Sequence, residues 1–155
     1  MRRGINSSVT FKFTEHGYIW FMSVEVNDRR RAQLFYNEVK NWQSELNTHV
    51  IDLLFFQRIL DIYSLKVSET TEARDVHFLK ETLASFLQHR VEIQKRKLRG
   101  HEEYLHKIVE DRLLLKDKEL PFKHRDMEKD MNDFRTGYRS LNQSLYTKIE
   151  QLKNF

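Results

Sequence analysis

Residues 35–67, FYNEVKNWQSELNTHVIDLLFFQRILDIYSLKV, settle the fold class. Alternating steps of four and three from Phe35 meet Val39, Trp42, Leu46, His49, Leu53, Phe56, Leu60, Tyr63 and Val67, a heptad seam with one polar member. A second apolar row, Ile51, Phe55, Ile59 and Ile62, runs through the later half, so this helix is expected to face more than one neighbour. Asp28 suits the cap that starts it, which gives a first helix over about 28–67.

Downstream, Ser68, Thr71 and Glu72 supply a break and a new first turn, because their side-chain oxygens can satisfy free backbone N–H groups. The second helix then runs over about 70–118 on the seam Leu83, Leu87, Val91, Gln94, Leu98, His101, Leu105, Ile108, Arg112 and Leu115. Gly100 costs roughly 1 kcal/mol against alanine in a helix interior, enough to permit a kink but not to compel a break. Pro121 is tolerated in a first turn, so KELPFKHRD reads as a turn and restart. The third helix, about 122–154, has the cleanest seam: Met127, Met131, Phe134, Tyr138, Leu141, Leu145, Ile149 and Leu152.

Upstream, residues 1–27 differ from the rest. VTFKFT alternates apolar and polar and YIWFMSVEV is rich in aromatic and β-branched residues, so the segment reads as a hairpin, an irregular extension, or, up to residue 21, translation upstream of a start at Met22. The domain reading is an extension over 1–27 and a helical bundle over 28–155. Short connections make consecutive helices antiparallel, and near-3.5 periodicity winds them left-handedly, so the expected fold is all-α, an elongated antiparallel three-helix coiled-coil bundle. Folding back about the two turns, the three helices are expected to overlap only near residues 83–107 of the middle one, leaving two-helix ends.

Composition bounds the function. The 155 residues contain no cysteine, which excludes disulfides, thiolate metal sites and cysteine nucleophiles and fits a reducing, cytoplasmic setting. The net charge of +4 comes from 27 basic residues interspersed with 23 acidic ones, a weak bias toward acidic partners. No apolar run approaches the roughly 18 to 20 residues that span a bilayer. With four glycines the chain has no nucleophile elbow, phosphate-cradling loop or dinucleotide fingerprint, and neither an enzyme nor a resident cofactor is expected.

The chemical motifs are weighed against plain helix surface. Glu103-x-x-His106 has the spacing with which bundle helices hold iron, and with His101 and Glu102 it forms the candidate metal set; a di-iron site needs a second such motif, and none occurs. Seven histidines among this many acids meet the spacing about once by chance. His124 reads as an exposed helix-turn partner of Glu128, and only His49 and His101 fall on apolar seams. A polar layer of His49, Gln88 or His89, Tyr146 and Glu150 is expected to fix the register. Lys95, Arg96, Lys97 and Arg99, with Arg135 and Arg139 folded near them, form a candidate anion patch that Lys40 can join, although nucleic acid is not favoured without more stacking aromatics. The expectation is a non-catalytic interaction or scaffold module, a homodimer or other homo-oligomer formed through Ile51, Phe55, Ile59 and Ile62. A metal-binding bundle or a weak phosphate binder is the alternative.

Overall fold

The computed structural model describes residues 15–67, 71–110 and 118–153. Its elements are α1 (Glu15–Lys66), α2 (Thr71–Ser85), a π-helical turn (Phe86–Val91), α3 (Glu92–Glu110) and α4 (Leu120–Leu152). The fold is an all-α helical bundle of three long helical stretches, with no strand among the described residues. The seams form its core. Val39, Trp42, Leu46, Leu53, Phe56 and Leu60 of α1 are buried, as are Leu98, Leu105 and Ile108 of α3, and every seam residue of α4 from Met127 to Leu152. Arg112 and Leu115 lie outside the described residues.

Helix directions follow from the side-chain contacts. Asp61 of α1 pairs with Lys80 of α2, and Glu102 of α3 accepts from Lys40 and Gln43 of α1, so these stretches run antiparallel. Glu45 pairs with Arg135, Asp52 with Tyr138 and Phe56 with Tyr146, so α1 and α4 rise together.

Three expectations are corrected. The first helix begins at Glu15, not Asp28, so YIWFMSVEV is helical rather than a strand. Extending an existing helix needs no new nucleus, whereas an isolated hairpin is marginal in water. Asp28 instead pairs with Arg31 one turn on. VTFKFT lies outside the described residues. Second, the middle helix, expected to be uniformly α-helical, widens into a π turn at Phe86–Val91; it continues through Gly100, as expected, with negative φ there.

Third, three-helix packing is not confined to the middle. It extends from the layer of Glu38, His101 and His124 to the turns of α2 where Lys80 pairs with Asp61 of α1 and Asp75 with Lys148 of α4, so the second apolar row of α1 has both other helices beside it. The third helix starts at Leu120, close to the expected bound, with the proline within its first turn, where the missing N–H costs nothing.

Candidate interaction surface

A helix advances about 100° per residue, so Phe55 lies about 200° around α1 from the buried Leu53 and faces away from the core. Ile51, Phe55 and Ile62 are 67%, 60% and 57% exposed, Leu54 and Leu65 extend the same outward face, and Arg58 is exposed between Phe55 and Ile62. Ile59 does not belong to it, because it is half-buried and packs against the core. Upstream on α1 the outward positions are Asn37, Asn41, Ser44 and Thr48, all exposed and polar, so the apolar stripe starts abruptly at Ile51. Burying such side chains is worth roughly 25 cal/mol per Å² of apolar surface, and contiguous exposed patches of this kind mark contact sites.

A second unfilled apolar feature lies between α2 and α4. It is a groove of about 810 Å³ whose floor includes Leu79, Phe86 and Leu141, with Phe78 72% exposed at its edge. The α4 side carries the small residues Gly137, Ser140, Ser144 and Thr147 beside Leu141, Gln143, Lys148 and Gln151. A Cβ at Gly137 would meet the Arg90 guanidinium at 3.2 Å and the Phe86 ring at 3.4 Å, so the glycine lets both side chains lie against α4. Both belong to the π turn, whose wider winding is common at functional positions.

Three of the six cations of the candidate anion patch are held by acidic partners. Lys95 pairs with Glu92 at 3.1 Å and Lys97 with Asp130 at 2.7 Å. Arg135 makes a two-pronged bond to Glu45, Nε to Oε1 at 2.7 Å and an η nitrogen to Oε2 at 2.6 Å. That bond holds the Glu45 carboxyl below its usual range and raises the Arg135 guanidinium. Arg96, Arg99 and Arg139 are exposed. Lys40 is held by Glu102 at 3.1 Å, on the α1–α3 seam.

The candidate metal set diverges. His101 points into the bundle, Glu102 turns to Gln43, Lys40 and Tyr36, Glu103 is exposed, and His106 pairs along its helix with Glu110. Gln43 above all, then Lys40 and Tyr36, hold the Glu102 carboxyl below its usual range. Among the described residues, no three His, Cys, Asp or Glu side chains are grouped to hold a metal ion.

His101 instead joins a relay across all three helices, whose two histidines are buried and whose Glu38 end is exposed. Its Nε2 lies 3.0 Å from Nδ1 of His124, whose Nε2 lies 2.6 Å from Oε2 of Glu38. The carboxylate can only accept, so His124 carries a proton on Nε2, and a single proton bridges Nδ1 of His124 and Nε2 of His101. Phe35 stacks on the His124 ring at 3.8 Å and Trp42 at 5.1 Å. Burial, with the nearby His124 and Lys123, pushes His101 down to about 4. His124 is thus buried rather than an exposed partner of Glu128; carrying the third seam back from Met127 by three and seven residues reaches His124 and Leu120, both buried. The seam could have revealed this had it been carried back past Met127, since His124 lies within the expected helix.

The expected layer at His49 also has different members. His49 stacks on Tyr138 at 3.8 Å and pairs with Glu45 at 3.5 Å, while Nδ1 is buried with no protein partner. Tyr138 donates to Asp52 at 3.0 Å, and burial, then this bond, pushes its phenol up to about 12. Gln88 and His89 are exposed, Tyr146 packs edge-on against Phe56, and Glu150 pairs with Lys153, so none of the four reaches His49. In both layers polar groups find partners in only one alignment, which fixes register at some cost in stability.

None of the described helices is long and apolar enough to cross a membrane. Compared with models of protein families, with curated proteins and with solved structures, the chain has no match, so the arrangement of its own side chains carries the functional argument.

Proposed function

We propose that the protein is a non-catalytic helical interaction module of the coiled-coil type that works in a reducing, cytoplasmic compartment and associates with a second copy through the outer face of α1. The observation that carries this reading is the stripe of Ile51, Phe55, Ile62 and Leu65, apolar on the side of α1 that the chain's own core does not use. Supporting it, the buried polar layers are engaged in helix-to-helix bonds, as suits a scaffold.

Light scattering across micromolar concentrations tests it. The wild type is expected above monomer mass, and Phe55→Asp/Ile62→Asp, two exposed positions, is expected as a folded monomer. A wild type that stays monomeric, or a variant that associates as the wild type does, refutes the reading.

A further inference from the structure

Resting on the reading that the α1 stripe self-associates, we infer that its counterpart is the α2–α4 groove of another copy of this chain, not a second stripe. Size and shape match. Ile51 to Leu65 and Gly137 to Gln151 each span about 21 Å at 1.5 Å per residue. The stripe presents large side chains, and the groove wall offers Gly137, Ser140, Ser144 and Thr147, small enough for a helix to approach closely. Two stripes face to face would leave the 810 Å³ groove and the Phe78 edge unfilled.

Charge selects one direction. Arg90 lies at the Gly137 end of the groove and Asp75, beside Lys148, at the Gln151 end. The stripe begins beside Asp52 and ends beside Lys66, all four groups being on exposed residues. Asp75 is already paired with Lys148, so Arg90 decides the direction: Asp52, which accepts from Tyr138 of its own chain, toward Arg90 makes the docked α1 run parallel to α4, whereas the reverse direction sets Lys66 against Arg90. Within one chain Glu45, Asp52 and Phe56 already stand level with Arg135, Tyr138 and Tyr146, so neighbouring copies lie side by side, in the same direction and with little axial shift. The groove is lined by α2, the π turn and α4 with no α1 residue, while the stripe faces outward from α1. Each copy therefore offers one surface on either side, and the contact is head-to-tail and open-ended.

Complementing variants test it. Phe55→Asp/Ile62→Asp removes the stripe, and Phe78→Asp/Ser144→Glu spoils the groove, all at exposed positions. Light scattering, with circular dichroism as the check on folding, is expected to give a monomer for each variant alone, a one-to-one complex of twice the monomer mass for the mixture, and mass rising beyond a dimer with concentration for the wild type. A groove variant that assembles as the wild type does overturns the groove assignment and leaves stripe pairing standing. A mixture that stays monomeric overturns it too. If the stripe variant still assembles, the self-association reading fails and this inference with it.

Discussion

His101 binds its proton less readily folded than unfolded. Its ordinary value is 6.5 and the folded one about 4, because burial penalises the imidazolium and His124 and Lys123 add repulsion. Between those values the folded state holds fewer protons than the unfolded chain, so this contribution to stability is complete above about pH 6.5 and is lost as the pH falls toward 4. The loss is on the order of 3 kcal/mol, at 1.36 kcal/mol per pH unit. Urea unfolding at pH 7 and pH 4.5 is expected to show it, and His101→Leu to flatten the slope between the two, whatever it does to stability at pH 7. An equal slope in wild type and variant would remove the relay from the explanation. Gly100 makes a contrasting case. Its φ is ordinary and no atom lies within 4 Å of where a Cβ would stand, so Gly100→Ala is expected to raise stability by about 0.5–1 kcal/mol in thermal unfolding.

Along α1 the two apolar rows have unlike roles, and substitution separates them. Leu53→Ala empties a fully buried site and is expected to cost about 2–5 kcal/mol, whereas Phe55→Ala, measured at concentrations where the protein is monomeric, is expected within about 0.5 kcal/mol of wild type. Urea midpoints check both. The seams were legible because burial repeats every three or four residues: Leu53, Leu98 and Leu145 fall where the periodicity puts them and are fully buried. Ile59 was not separable from Ile51 and Phe55 by spacing alone, since it lies at the border of the core side, where the neighbouring helix decides. The π turn left no sequence signal, because one wider turn costs little locally and is set by how Phe86 and Arg90 pack against Gly137. The relay escaped motif counting because it joins residues 23 and 86 apart, and helix spacing reports only neighbours one turn away.

Taken whole, the bundle buries its seams and still carries an apolar stripe on one side and a groove on the other. Salt is expected to modulate association only modestly, since the contact is mainly apolar and its end charges are exposed. Sedimentation at about 0.05 and 0.5 M salt, bracketing the fall in Debye length, checks this; dissociation on adding salt would point to the exposed arginines instead. The most direct measurement uses the absence of cysteine from the chain, which makes a single introduced thiol a clean reporter. Arg58→Cys places one amid the stripe, and Lys129→Cys places one on the outward side of α4. From nanomolar to tens of micromolar protein, alkylation of the thiol at position 58 is expected to slow while that at 129 keeps its rate; equal, unchanging rates at both would contradict the assignment of the outer face of α1 as the contact surface.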